Sequence, residues 1–533
     1  MSVTVILSGL AFAWPDSRAV FTGLDAVFGE GRTGLVGVNG AGKSTLLRLI
    51  AGELRPSSGD VRVAGSVGYL PQNLILDADR RVDDVLGLAE TRAALAAIEE
   101  GEAGEAQFAA VEGAWDVEER THATLDRLGL GHVGLDRRAG QLSGGEVVLL
   151  GLAAQLLRVP DVLLLDEPTN NLDLRAKHYV HEAIRSWRGA LILVSHDRET
   201  LELVDRIGDL RDGDLSFYGG NLSAYEAAVA AEQEAAERTV RVAEADFRRE
   251  KRELADTQVK LARRQRYGKK MFETKREPKV RMRKRAEDAQ IAAGKLRNTH
   301  LDRLNQARDR LQEAKDAVRD DAEIRIDLPD TKVPQGMQVL ELSDVELATG
   351  QVVSLSVRGP ERIALIGDNG TGKTTLLHTV MRLAEPRSGT ARTFVPARFL
   401  PQRLDILDDN RSAVDNVSDT APSAGDNAIR AQLARFLLRG RQADQLTGTL
   451  SGGERFRAAL ATLLLAEPAP RLLLLDEPTN NLDLASVRKL TQALESYSGA
   501  LVVVSHDVPF LRDIGISRWL RLGSDRLEEV DPL

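Results

Sequence analysis

The chain has no cysteine, which excludes disulfides, thiolate metal sites and iron–sulfur clusters and makes a cytoplasmic location the expectation. It also lacks any run near the roughly 18 to 20 consecutive apolar residues that cross a bilayer. Its longest apolar segment, Val147 to Leu157, fits a buried helix, so no membrane insertion is expected. The opening MSVTVILSGLAF has neither a basic n-region nor a long apolar core, and it reads as a first strand rather than a signal peptide. Aromatic residues are scarce at 4%, and none occurs between Phe272 and Phe394. Proline and glycine are missing from Asn221 to Tyr267, which leaves nothing in that stretch to break a helix.

A length of 533 residues exceeds one ordinary core and suggests two to four domains. The formal net charge of -9 argues against a nucleic-acid partner only if it is evenly spread. Between Arg263 and Arg285, however, 12 Lys and Arg face 2 Glu, a local balance of +10 that leaves -19 on the remainder. An acidic body repels phosphate everywhere except at such a projection, which favours a directed contact.

Five motifs occur twice in the same order, so the chain is a tandem duplication. GVNGAGKST (Gly37 to Thr45) returns as GDNGTGKTT (Gly367 to Thr375), and YLPQ at Tyr69 to Gln72 as FLPQ at Phe399 to Gln402. LSGGE at Leu142 to Glu146 returns at Leu450 to Glu454. LLLDEPTNNLDL at Leu163 to Leu174 returns at Leu473 to Leu484, and VSHD at Val194 to Asp197 at Val504 to Asp507. The pattern GxxxxGK[ST] follows strand candidates (Thr33 to Val36, Ile363 to Ile366) and opens helix candidates (Thr45 to Ile50, Thr375 to Met381), the context of a phosphate-binding P-loop. Gly37, Gly40 and Gly42, with Asn39, and Gly367, Gly370 and Gly372, with Asn369, let successive backbone N–H groups wrap phosphates at a helix N-terminus. Lys43 and Lys373 are expected to reach the β and γ phosphates, and Ser44 and Thr374 to ligate magnesium, with Thr45 and Thr375 beside them. A Gly-rich turn with a chance lysine is the bland alternative.

Four apolar residues ending in Asp-Glu suit a buried parallel strand whose carboxylates emerge at the sheet's C-terminal edge. Asp166 and Asp476 are then expected to hold magnesium, leaving Glu167 and Glu477 to polarise the attacking water. His196 and His506, each after an apolar strand, are placed to orient that water. Taken in order, P-loop, LSGGE and Asp-Glu strand resemble the ATP-binding cassette superfamily over nearly all of residues 1–222 and 335–533. The resemblance implies two cassettes closing head to tail around two ATP molecules, with Lys43 facing Ser451, Gly452 and Gly453, and Lys373 facing Ser143, Gly144 and Gly145. It also implies that Gln72 and Gln402 sit next to magnesium and that Trp14 stacks on adenine. The second half has no ring to match Trp14, and the first signature reads GGEVVL where the second reads GGERFR. Both departures fall on the site of Lys373, which is expected to bind or turn over ATP more slowly.

Gln72 and Ser143 are 71 positions apart, Gln402 and Ser451 only 49, so the first cassette is expected to carry a small helical insertion near 85–120. The stretch from 223 to 330 occurs once. Apolar or small residues recur at sevens (Leu222, Val229, Ala236, Ala243; Val240, Phe247, Leu254, Leu261) and return at alternating fours and threes (Leu304, Ala307, Leu311, Ala314, Val318). These are coiled-coil periods and predict an antiparallel helical hairpin that breaks near Gly268 and Pro278. Its tip gathers Arg263, Arg264, Arg266, Lys269, Lys270, Arg281, Arg283, Lys284 and Arg285 with Tyr267 and Phe272, the mix of cations and rings that RNA recognition favours.

The expected architecture is therefore α/β: two tandem P-loop NTPase cassettes, 1–222 and 331–533, joined by a long antiparallel α-helical hairpin. This organisation resembles the ABC-F subfamily. The resemblance implies an ATPase that binds the ribosome when ATP closes its cassettes, as a monomer with intramolecular pairing. It further implies that the hairpin reaches ribosomal RNA, P-site tRNA or the peptidyl-transferase centre, in translation or in antibiotic protection, and that hydrolysis releases the protein. An ATP-hydrolysing subunit of a membrane transporter shares every cassette motif, and an ATP-driven DNA-binding protein is the other alternative.

Overall fold

The computed structural model describes residues 5–15, 19–74, 77–101, 104–111, 113–273, 279–316, 328–402, 406–480 and 482–532. The chain divides into two compact units, one made of Met1–Ser223 with Ala322–Leu533 and the other of Ala224–Asp321.

In the first half, β1 (Val5–Ala13), β2 (Ala19–Phe28) and β4 (Ser58–Val63) form an antiparallel sheet in the order β2-β1-β4. Between them come β3 (Gly31–Val36) and α1 (Lys43–Ile50). There follow β5 (Val67–Leu70), α2 (Val82–Leu86), α3 (Ala89–Glu99), α4 (Glu105–Val111) and α5 (Val117–Arg127). Then come α6 (Gly144–Arg158), β6 (Val162–Asp166), α7 (Leu174–Ser186), β7 (Ala190–Val194), α8 (Arg198–Leu201), β8 (Arg206–Arg211) and β9 (Asp214–Gly219). A six-stranded sheet has the order β5-β6-β7-β3-β8-β9, parallel except for the last pair. The second half repeats both sheets, its six-stranded order being 397–400, 472–476, 500–504, 362–366, 518–522 and 527–530. Extra helix in the first half falls in α3 and α4, within the region where the longer spacing places an insertion.

The central strands are apolar on both faces because both faces are covered. In the second half Leu472 and Leu474 enter the core under the antiparallel sheet, while Leu473 and Leu475 enter the core shared with the helices. This is the period-two alternation of a strand, and each such leucine contributes roughly 1.5–3 kcal/mol through burial. What the sheet delivers is position: the P-loop follows β3, the Asp-Glu pair ends β6, and the histidine follows β7, all at one C-terminal edge.

The second unit holds α9 (Leu222–Glu273) and α10 (Lys279–Asp316). Ala236, Val240, Ala243, Phe247, Leu254 and Leu261 on α9 are all buried or half-buried, as are Leu304, Ala307, Leu311 and Ala314 on α10. Lys315 pairs with Glu244 at 3.7 Å, and Glu250 and Glu253 lie beside His300, so the two helices run antiparallel. One expectation needs correcting. α9 does not stop at Gly268 but continues to Glu273, because one glycine costs a long helix only about 1 kcal/mol. Lys275, Arg276, Pro278 and Val318 lie outside the described residues, and so do the side chains of Lys269, Phe272, Arg281, Arg283 and Arg285.

Candidate active site

Each P-loop turns on backbone geometry that only glycine meets. Gly37 has φ 149°, and a Cβ there would sit 2.4 Å from the Leu210 carbonyl oxygen; Gly367 repeats this against Leu522. Gly42 has φ 102°, and a Cβ would meet Val20 at 2.5 Å. Lys43 Nζ donates to the carbonyls of Gly37 (2.8 Å) and Val38 (3.2 Å), and Lys373 Nζ to those of Gly367 (2.6 Å) and Asp368 (2.9 Å). Both lysines are held folded back over their loops.

Ser44 Oγ donates to Asp166 Oδ1 at 3.1 Å, and Thr374 bonds Asp476 in the same way. At the end of β6 the chain breaks its extended course: Glu167 has φ 51° and Glu477 φ 45°. Non-glycine residues in this region are uncommon and cluster at functional sites. Burial pushes both glutamates well above the ordinary carboxylate range, against the pull of Lys43 on one and Lys373 on the other. Such a shift suits a group that takes a proton near neutral pH. The backbone N–H of His196 donates to Glu167 Oε2 at 3.3 Å, and that of His506 to Glu477 Oε2 at 3.4 Å. Each ring Nε2 stands 3.4 Å from the same carboxylate. Burial, reinforced by the neighbouring P-loop lysine, pushes both histidines down to about 3, so they are neutral at physiological pH.

Two cavities result. The first, of about 480 Å³, is bordered by Trp14, Asn39, Gly40, Gly42, Lys43, Ser44, Thr45, Gln72, Glu167 and His196, and across the cassette boundary by Thr479, Asn480 and His506. The second, of about 310 Å³, is bordered by Asn369, Gly370, Gly372, Lys373, Thr374, Thr375, Gln402, Asp476, Glu477 and His506, and by Asn171 from the first half. Where the first has Trp14, packed edge-on against Phe12, the second has Thr349, and its lining includes no Phe, Tyr or Trp.

The segment that crosses between cassettes is the one ending DEPTNNLD, to which sequence reasoning gave no role beyond its first two carboxylates. Asp483 Oδ2 accepts from the Asn39 backbone N–H at 3.0 Å, and Asp173 Oδ2 from that of Asn369 at 3.3 Å. The other oxygen of each caps its own helix, Asp483 from Ser486 N (2.8 Å) and Asp173 from Ala176 N (2.9 Å). Asn171, in left-handed backbone with φ 59°, accepts from Gln402 Nε2 at 3.1 Å and from Asn480 Nδ2 at 3.3 Å. Arg198 and Asp513 add an ion pair at 2.7 Å. The duplication of NNLD was the available signal; what it lacked was a partner, which only folding supplies.

The serines of LSGGE have a local role at the starts of their helices. Ser143, Gly144, Gly145, Ser451, Gly452 and Gly453 are not among the residues that border these two cavities. Each serine forms a capping box: Ser143 Oγ accepts from Glu146 N (3.3 Å) while Glu146 Oε2 accepts from Ser143 N (2.7 Å), and Ser451 with Glu454 does the same. The helix start therefore explains the Ser and Glu of the motif locally, and the NNLD segments hold the positions over the opposite P-loops. In the other unit Arg263, Arg264, Arg266, Tyr267, Lys270 and Lys284 are exposed.

A family described as "ABC transporter" matches residues 26–170 and again 351–480. Tylosin resistance ATP-binding protein TlrC of Streptomyces fradiae is 34% identical over 531 residues, spanning 92% of this chain and 92% of its own length. Probable ATP-binding protein YheS of Escherichia coli (strain K12) is 31% identical, over 90% of this chain and 73% of its own. Among solved structures, RNase-L Inhibitor matches with a TM-score of 0.55 at 18% identity, over 98% of this chain and 90% of its own, a likeness of fold.

Proposed function

The chain belongs to the ABC-F family of tandem ATP-binding cassette ATPases, and from that premise we propose that it is an ATP-driven switch acting on the ribosome. The observation that carries the reading is the end-to-end likeness to a tylosin resistance protein. The one-signed charge of +10 in residues 263–285 supports it, since such a tip suits ribosomal RNA or P-site tRNA. No helix among the described residues is long and apolar enough to cross a membrane.

In this reading ATP occupies the two cavities, with its phosphates in the loops of Gly37 to Thr45 and Gly367 to Thr375. Lys43 and Lys373 exchange their carbonyl partners for phosphate oxygens, and Trp14 stacks on the first adenine. Glu167 and Glu477, raised toward neutrality, accept the proton of the attacking water. His196 and His506, neutral and buried, orient that water. Ser44 with Asp166 and Gln72, and Thr374 with Asp476 and Gln402, offer the oxygen donors of a set that fits magnesium. Magnesium there would neutralise charge on the β and γ phosphates.

Pairing of the cassettes through Asp173 and Asp483 couples ATP to closure, and closure favours ribosome binding until hydrolysis reopens the interface. The test is co-sedimentation with ribosomes of Glu167→Gln, Glu477→Gln protein. ATP is expected to drive it into the ribosomal pellet and ADP to leave it in the supernatant. Association with membranes instead of ribosomes would replace this reading with a transport ATPase, and tighter binding to duplex DNA would replace it with a DNA-bound ATPase. Expression in a susceptible bacterium, scored for tylosin tolerance, separates antibiotic protection from a general role in translation.

A further inference from the structure

One buried cation has no part in the chemistry described so far. Lys177 lies in the first turn of α7, immediately beyond the segment that crosses to the second cassette. Its side chain is only 12% exposed, with Nζ 3.0 Å from Asp197 Oδ2. Asp197 follows His196, and its other oxygen caps α8 by accepting from Glu199 N at 3.0 Å. The same Nζ donates to the backbone carbonyl of His506, in the other cassette, at 3.3 Å. Asp507 and Glu477 of the second cassette also face the ammonium, as do His181 and Glu199 of the first.

A buried ammonium is costly unless it is paired and its hydrogen bonds are met. Asp197 alone would pair it, yet its second partner is the backbone of the other cassette's histidine. Separation of the cassettes removes that partner, and displacement of the loop after His196 moves the lysine itself. The device occurs once: the corresponding residue of the second cassette is Val487, which is apolar and 6% exposed.

We propose that Lys177 is a positioning residue that couples the two ATP sites, tying the loop after His196 at the first to the backbone of His506 at the second. The inference rests on the two-site ATPase reading and adds a structural asymmetry to it, since only one cassette carries the tether, while the coupling it produces is reciprocal. It concerns how occupancy of one site is reported to the other: Lys177 borders the first cavity together with Asp197, and its part there is to position the loops of the two histidines.

The test is calorimetric titration of the full chain with the non-hydrolysable analogue AMP-PNP and magnesium. The wild type is expected to bind two nucleotides with intersite coupling of about fivefold or more. Lys177→Met is expected to bind two nucleotides independently, and Lys177→Arg to keep the coupling. Retention of coupling by Lys177→Met overturns the proposal, as does its loss in Lys177→Arg, which would assign the effect to side-chain volume. A wild type that binds two nucleotides without coupling overturns it too. Should Lys177→Met fail to fold, Asp197→Asn, which removes the anchor and leaves the lysine, is expected to lose the coupling, and retention there is equally fatal. A wild type that binds fewer than two nucleotides would instead refute the two-site reading.

Discussion

Asp483 serves two structures with one carboxylate: Oδ1 caps the helix that starts at Leu484, and Oδ2 docks on the opposite P-loop at Asn39. Burial raises its carboxyl, but the bonds from Asn39 and Ser486 outweigh that and hold it below the ordinary range, so it stays ionised where the partner's N–H points. The two roles separate by substitution. Asp483→Asn preserves a good helix cap, whereas Asp483→Ala loses it at a cost of about 1 kcal/mol. Chemical unfolding is therefore expected to place Asn near the wild type and Ala below it, while ATP turnover falls in both because the charge over Asn39 is gone. Wild-type turnover in Asp483→Asn would show that the carboxylate caps a helix and nothing more.

Among the elements, the strands were the most legible and the hairpin tip the least. A run such as LLLLD has only one comfortable environment, between two covering layers, and its period of two then fixes which leucine meets which core. The repeats of seven along α9, and of four and three along α10, likewise match the residues that are buried. Exposed cations carry no such constraint, since solvent satisfies them in any arrangement. Their role is electrostatic, and the expectation is correspondingly simple. Reversing Arg281, Arg283, Lys284 and Arg285 to Glu takes the balance of residues 263–285 from +10 to +2 and so removes most of their attraction toward phosphate. Ribosome co-sedimentation should drop and lose most of its salt dependence, while ATP hydrolysis off the ribosome stays within about twofold, since none of the four is among the described residues that border either ATP cavity. Undiminished ribosome binding would move the contact elsewhere on the chain.

For the whole molecule the question is whether two copies of one cassette still do the same work. The first cavity has Trp14 where the second has Thr349, and base–aromatic stacking is worth about 1–3 kcal/mol. The first site is thus expected to dominate turnover: Glu167→Gln should remove most steady-state phosphate release and Glu477→Gln much less, and the reverse order would refute the inequality. The lack of a second Phe, Tyr or Trp to match Trp14 was readable from composition, as were the duplication, the P-loops, the Asp-Glu strand ends and the periodic helices. All of these depend on local geometry, where glycine dihedrals, apolar periods and neighbouring carboxylates act within a few residues. Tertiary structure alone decided the pairings across hundreds of positions: Asp483 with Asn39, Asn171 with Gln402, Lys177 with His506. It likewise decided that the LSGGE serines cap their own helices while the NNLD segments reach across. A side chain's chemistry states what it can bond, but which of many equivalent backbone groups lies within 3 Å depends on how two sheets and their helices pack, and no local pattern encodes that.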